Sequence, residues 1–303
     1  GSNRNRLAIK GDRPGGAAPS IRGIEYMKST VKLIAGLVLG VMLFAPVVAD
    51  AGAVLDRVMK NKVMTLSSDA EYPPQSFLNK QNEMDGFDVG VTREIAKRLG
   101  VELKIVTPAW EVIVAGNWGP RWDLSVGSMT PTKARSKVLD FPAVYYYTPA
   151  AFAVHKDSPI SSIAELNGKK IGVCGGCTYE AYLKHNLVLD AGGVPPFTYQ
   201  VKPGEIRLYE TDVNVFDDLR IGAGKRLDAG MSTLPTIMEV IKSGYPLKVI
   251  GKPAFYEPLA VAVDKGDPEW AAKLKGIIEA MHADGTLTAL SKKWYGVDYS
   301  KTQ

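Results

Sequence analysis

The sequence predicts an α/β protein built from two lobes, and three observations carry that expectation. Short β-rich runs alternate along the chain with stretches whose apolar residues recur at helical spacing. The first complete set reads strand, loop, helix, strand, the connection used between parallel neighbours in a sheet. About 250 residues remain once a leader-like segment is set aside, and a chain of that size fits two medium lobes better than one large core.

Residues 62–66 form the first predicted strand and lead into a loop holding Tyr72, Pro73 and Pro74. Phe87, Val91, Ile95 and Leu99 then recur every four residues, and Gly100 stands where a left-handed cap would end a helix. Residues 101–106 supply the next strand, and 122–126, 170–173 and 226–229 supply three more. Helices are predicted over 178–189, ended by Gly192 and Gly193, and over 213–221, ended by Gly222. Near the C-terminus, Trp270, Leu274, Ile277, Ile278 and Met281 form one apolar stripe.

The segment set aside is 27–51. Lys28 and Lys32 precede an apolar run at 33–44, followed by Pro46 and the small-residue end Ala49-Asp50-Ala51. That is the order of a secretory signal, with cleavage expected after Ala51. A run of 12 residues is too short to span a bilayer, which takes roughly 20. No Cys stands near the cleavage point, so no lipid anchor is expected, and the location implied is a periplasm. Residues 1–26, rich in Gly, Pro and Arg without apolar periodicity, are read as a disordered or artificially added extension.

Charge follows the same division. The whole chain carries 37 basic against 32 acidic residues, but 1–51 hold seven and three of these. The remaining 30 and 29 leave a net of +1, which gives no electrostatic footprint for nucleic acid. Composition also excludes a disulfide-stapled miniprotein, since there are two Cys in 303 residues.

Catalytic signatures are scarce. His155, His185 and His282 have no metal-ligand spacing, and no Walker loop, nucleophile elbow or dinucleotide fingerprint is present. No metal or cofactor is therefore expected. Cys174-Gly-Gly-Cys177 could be a redox centre. Its place between strand 170–173 and a helix instead suggests a loop whose backbone N–H groups point into a cleft, with or without a disulfide.

Ligands of open α/β sheets sit beyond the carboxyl ends of strands. Four segments place polar or aromatic residues there: Asp69 to Tyr72, Ala109-Trp110, Gly127 to Arg135 with Ser128 and Thr130, and Cys177-Thr178. Arg135 follows Thr130 by five residues across Pro131, so a short turn can aim its guanidinium back at the hydroxyls. Such a fork donates two parallel hydrogen bonds to a carboxylate. Taken singly, Arg135 also suits a surface ion pair, and Tyr72 and Trp110 suit a core.

Five stretches taken together carry a resemblance. GFDVGVTREIAKRLG, RWDLSVGSMTPTKARSKVLDFPAVYY, ELNGKKIGV followed by GCTYEAYL, GKRLDA and MHADGTLTALSKKWYG occur in an order similar to the polar amino-acid branch, family 3, of solute-binding proteins serving ABC importers. The similarity covers about 62–295. It implies the type II periplasmic binding protein fold, two Rossmann-like lobes joined by a two-segment hinge, with crossings near 147–154 and 257–263. Lobe I would then comprise 52–148 plus 259–303, and lobe II 149–258. The resemblance implies that Arg135 clamps a ligand carboxylate beside Ser128 and Thr130, that Thr178 completes its capture, and that Tyr72 and Trp110 enclose the ligand. Asp69 matches a position that meets a cationic side chain in some members.

One position departs from the family pattern. Five residues after the Asp of GKRLDA, where members place an Asp for the ligand α-ammonium, this chain has Thr233. Either another carboxylate, Glu257 or Asp69, substitutes, or the ligand lacks a primary α-ammonium. The function implied is capture of a small carboxylate-bearing amino acid or derivative for an inner-membrane ABC permease, by a monomer without catalysis. Two alternatives stay open: a cyclic-acid dehydratase on the same scaffold, with Glu71, Glu257 or Asp69 as general acid, and a periplasmic accessory or sensory protein.

Overall fold

The first strand and helix form where apolar periodicity places them. In the computed structural model, which describes residues 52–302, helix α1 (Ala53–Asn61) precedes strand β1 (Val63–Ser67). The leader at 27–51 and the extension before it lie outside the described residues. A three-stranded meander follows, β2 (Glu71–Tyr72), β3 (Ser76–Leu78) and β4 (Met84–Asp85). Helix α2 (Phe87–Leu99) buries Phe87, Val91, Ile95 and Leu99, and Gly100 caps it at φ 67°, a left-handed conformation that glycine adopts without Cβ strain. Strand β5 (Glu102–Val106), helix α3 (Trp110–Val114) and strand β6 (Leu124–Met129) complete this half, with β1 parallel to both β5 and β6.

Strand β7 (Leu139–His155) then runs out of this half. Beyond it come β8 (Lys170–Cys174), α4 (Thr178–Leu183), β9 (Glu205–Tyr209), α5 (Asp212–Leu219), β10 (Ala229–Thr233) and α6 (Leu234–Lys242). Strand β11 (Leu247–Asp264) returns, and α7 (Pro268–Ala283) and α8 (Thr286–Tyr295) pack on the first half. The sheet order is β5-β1-β6-β11-β7-β10-β8-β9. The expectation of parallel pairing therefore holds at each end, where β8 also lies parallel to β9 and β10, but not in the middle. There the chain crosses out and back, so β7 and β11 must run antiparallel, and they pair with each other along most of their length.

Two principal cores flank this ribbon. One gathers α2, α7, β1 and β6, including the predicted stripe from Trp270 to Met281; the other gathers β8, α4 and Phe255. On β7, Tyr145 and Tyr146 belong to the first core while Ala150, Phe152 and Val154 belong to the second. On β11, Phe255 belongs to the second and Leu259 to the first. The changeover thus falls at 147–149 on one strand and 256–258 on the other, where Thr148 pairs with Glu257. Two lobes on a shared antiparallel pair are the type II periplasmic binding protein architecture. Among the described residues, no helix is long and apolar enough to cross a membrane.

Three of the shifts from expected element boundaries have a visible physical cause. The strand predicted at 226–229 is β10, and its Gly230 hides it from propensity; a Cβ there would lie 2.8 Å from Val215 Cγ1, so the close approach of α5 selects glycine. Helix α4 stops at Leu183 instead of continuing to 189, with His185 left-handed at φ 59°. The strand predicted at 122–126 begins at Leu124, because Asp123 instead ties β1 to α1, accepting from Thr65 N at 2.7 Å and Arg57 Nη2 at 2.6 Å.

The N-terminal helix hangs on one carboxylate. Asp267, the N-cap of α7, accepts from Trp270 N at 2.9 Å and Gly52 N at 3.1 Å through Oδ1, and from Val54 N at 2.7 Å through Oδ2. We expect Asp267→Ala to cost about 2 kcal/mol, roughly a 4–8 °C drop in melting temperature. Hydrogen exchange should show α1 losing protection first; unchanged protection there would refute the assignment.

Candidate functional site

The strand-end rule assembles one closed cleft between the lobes. From the first lobe come Asp69 and Tyr72 after β1, Trp110 at the start of α3, Ser128 and Thr130 at the end of β6, and Arg135 in the turn that follows. From the second come Thr178 and Tyr179 of α4, Glu210 after β9, Asp212 at the start of α5, and the pair Cys174 and Cys177. Glu257, on β11, enters from the hinge. The free space at its centre is about 30 Å³, room for a water molecule or two.

One end of the cleft is built to hold an anion. Arg135 is buried, and its guanidinium lies 5.4 Å from the Trp110 ring. Two of its five N–H donors are taken: Nη1 donates to Thr130 O at 2.9 Å and Nη2 to Gly176 O at 2.8 Å. Burial lowers its pKa to about 10, opposed by the charge of Glu257, so it stays cationic at neutral pH. Glu257 occupies the anion position itself. Its Oε1 accepts from Thr130 Oγ1 at 2.9 Å and from Thr178 Oγ1, and its Oε2 from the Tyr179 hydroxyl at 2.9 Å. Desolvation raises the Glu257 pKa against these three hydrogen bonds and the charge of Arg135.

Two expectations about this end are corrected. Ser128 borders the cleft, but its hydroxyl turns away, donating to Asp88 Oδ2 at 2.6 Å and meeting the Tyr146 hydroxyl. Asp88 is fully buried, so it draws donors, and the Tyr145 hydroxyl supplies another at 2.6 Å. In the Cys174–Cys177 loop the backbone N–H groups of the two glycines do not point to ligand: Gly175 N donates to Tyr209 O and Gly176 N to Glu180 Oε2. It is the Gly176 carbonyl that faces the first lobe, accepting from Arg135 and from Trp110 Nε1 at 3.4 Å. The two cysteines form a disulfide, their Cα atoms 5.6 Å apart.

The other end is acidic. Asp69 is partly buried and accepts from Glu71 N at 2.8 Å; desolvation, with Glu71 and Glu210 nearby, raises its pKa. Asp212 is buried, and its Oδ1 accepts from Ser232 Oγ at 2.5 Å. Burial raises its pKa to about 7, and Asp69 and Glu257 add to the shift. Sequence reasoning missed Asp212, Glu210 and Tyr179, although the first two obey the same strand-end rule, following β9. Thr233 stands apart from the cleft: it is buried at the end of β10, where its hydroxyl donates to Thr148 Oγ1 at 2.9 Å. The histidines serve elsewhere, His185 stacking on Tyr199 and His282 bonding Val144 O.

Two α/β lobes meeting over a cleft that holds a buried guanidinium among several carboxyl groups are the type II periplasmic binding protein fold with a solute-sized opening between its halves. The particular family follows from the sequence: the chain belongs to the bacterial extracellular solute-binding proteins, family 3, whose sequence model matches residues 64–297. It is 30% identical over 256 residues to the L-cystine-binding protein TcyJ of Escherichia coli (strain K12), covering 84% of this chain and 90% of that one. It is 27% identical to the L-arginine-binding protein of Pseudomonas aeruginosa, covering 78% and 90%. Among solved structures it is similar to the ancestral amino acid-binding protein AncCDT-1, a precursor of cyclohexadienyl dehydratase, with a TM-score of 0.69, 29% identity, and coverage of 80% of this chain and all of that one.

The buried acids predict a pH effect on the ligand-free protein. Asp88 and Asp212 each titrate at about 7 in the folded state against 3.8 in a free chain. Between those values the folded protein holds protons that the unfolded chain has released, so the contribution of these two acids to stability is fully present below pH 4 and is lost as pH rises through 7. Asp212→Asn keeps an acceptor for Ser232 while removing the charge. It should gain at least about 1 kcal/mol over wild type at pH 8 and little at pH 4 in chemical denaturation. Equal differences at both pH values would contradict this.

Proposed function

We propose that this protein captures a small amino-acid-like solute through its carboxylate and delivers it to an inner-membrane ABC permease. The mechanism is binding with lobe closure, without bond chemistry. The observation that carries this reading is the anion end. Thr130 from one lobe and Thr178 and Tyr179 from the other already surround a carboxylate, that of Glu257, beside the Arg135 guanidinium. A ligand carboxylate arriving in the open state takes those donors and the three N–H groups that Arg135 has left. The names of the cystine- and arginine-binding relatives support an amino acid as the solute. In this reading lobe I is 52–148 plus 259–303 and lobe II is 149–258. The leader at 27–51 directs export, with cleavage after Ala51, and the mature chain acts as a monomer in the periplasm.

A second reading has one observation in its favour. Glu257 is a carboxyl group with a raised pKa inside a cleft, the property of a general acid, and AncCDT-1 is named as the precursor of a dehydratase. Mass spectrometry of the protein purified under gentle conditions, followed by incubation with the retained solute, separates the two: transport returns the molecule unchanged and catalysis converts it.

Arg135→Ala should weaken binding of that solute about a hundredfold, or about 3 kcal/mol. Arg135→Lys should be nearly as poor, since an ammonium lacks the planar fork. Calorimetry giving wild-type affinity for either variant would remove Arg135 from the site.

A further inference from the structure

We infer that the Cys174–Cys177 loop and Asp212 form a redox-gated metal site: once the disulfide is reduced, two thiolates and the carboxylate hold a soft divalent cation of the zinc class at the wall of the cleft. This goes beyond the solute-binding reading and does not depend on what the solute is.

The donor set carries the inference. The two Sγ atoms and a carboxylate oxygen of Asp212 lie within 4.8 Å of one another. Donors at ordinary zinc–sulfur and zinc–oxygen bond lengths stand roughly 3.5–4 Å apart around a tetrahedral ion, so small side-chain movements complete the set once the sulfurs are free to part. Sequence spacing shows only the Cys174-Gly-Gly-Cys177 pair, and the fold supplies the third ligand from the start of α5. Two thiolates select zinc over magnesium or calcium, which take all-oxygen sites.

The surroundings favour a cation at this point. Asp212 is 5% exposed and Cys174 2%, and the charged groups acting on the Asp212 carboxylate, Asp69 and Glu257, are both acidic. Among the described residues lining the cleft, Asp69, Glu210, Asp212 and Glu257 are acids, and the one base, Arg135, has Glu257 beside it. A carboxylate buried in this way is stabilised by pairing with a cation or by coordinating a metal. The Ser232 hydroxyl donates to Asp212 Oδ1 at 2.5 Å, the kind of outer contact that orients a metal-binding carboxylate.

The disulfide can also be reached. Cys177 is partly exposed and borders a second, open hollow of about 350 Å³, lined as well by Val114, Thr132 and Lys184. A dithiol entering there attacks one sulfur, and its second thiol then displaces the mixed disulfide. The loop gains two electrons and two protons as the Cys174 and Cys177 thiols, and the dithiol leaves as its own disulfide. The incoming metal displaces the two thiol protons. A fourth position is left for water or another oxygen ligand from the cleft. In the oxidised protein the sulfurs are bonded to each other, and the site is closed.

The test measures Zn²⁺ and Co²⁺ binding to the full chain in both redox states. The protein is reduced under nitrogen with tris(2-carboxyethyl)phosphine and freed of it by gel filtration, with thiol titration to confirm reduction and circular dichroism to confirm folding. Competition with a chromophoric chelator should give a single Zn²⁺ per chain, bound roughly 100-fold or more tighter than by the oxidised protein. Co²⁺ should give a sulfur-to-cobalt charge-transfer absorption in the reduced state alone. Reduced Asp212→Asn should keep that absorption and lose roughly tenfold or more in Zn²⁺ affinity. Cys174→Ser and Cys177→Ser should each fall close to the oxidised protein. Equal Zn²⁺ affinity in the two redox states overturns the inference, as does an Asp212→Asn protein that binds as tightly as wild type. A disulfide that the phosphine leaves intact, or a chain that unfolds on reduction, overturns it too, because the site needs both free sulfurs and the fold that brings Asp212 to them. Solute binding by the oxidised protein is a separate measurement, so each of these failures leaves the solute-binding reading standing.

Discussion

Closure of the two lobes depends on one buried carboxylate at the hinge. Glu257 sits where β11 passes from one core to the other, and it collects hydroxyl hydrogens from Thr130 in the first lobe and from Thr178 and Tyr179 in the second. A carboxylate removed from water must regain its solvation from protein donors. The donors it finds belong to opposite walls of the cleft, so satisfying Glu257 and bringing the lobes together are the same event. On the function proposed above, a ligand carboxylate competes for the same donors, which links occupancy of the cleft to the hinge.

Several desolvated acids lie in the cleft or behind it, and their hydrogen-bond partners differ. Asp88 is satisfied inside the first lobe by Ser128 and Tyr145, and it withdraws the Ser128 side chain from the cleft in the process. Asp212 has a hydroxyl on one oxygen and acidic neighbours. Asp69 retains contact with water. The cleft thus sets one guanidinium, that of Arg135, among several carboxyl groups, with Glu257 beside it. The Gly176 carbonyl, shared by Arg135 and Trp110, closes the wall between the lobes at the cationic end.

How much of this was legible in the sequence depended on whether the signal was local. Phe87 to Gly100 announced a helix because four apolar residues and a glycine cap lie on one short segment. Eight of the nine proposed site residues line the cleft, because strand ends can be found from sequence and the resemblance selected among them. The long strands β7 and β11 carried no comparable pattern. Pro142, Pro149, Pro253 and Pro258 interrupt them, and their middles are buried on both faces, so alternation is lost. Asp212 carries no local signal for a related reason: Glu205 and Arg207 mask the five-residue β9 as a strand, and with it the strand-end position that follows. Thr233 departs from the family pattern in sequence, but only the fold shows that its side chain is buried at the end of β10, bonded to Thr148 and away from the cleft.

The hinge ribbon also constrains how the molecule can deform. From Phe255 to Leu259, β11 pairs residue for residue with Ala150 to Tyr146 of β7, and the register shifts on either side of this stretch. Sliding one lobe past the other would break several ladder hydrogen bonds at once, each worth roughly 1 kcal/mol, whereas twisting a two-stranded ribbon leaves them intact. The irregular pairs at its ends concentrate that twist at two points. Of the two deformations, rotation about the stretch holding Thr148 and Glu257 therefore disturbs the ladder least.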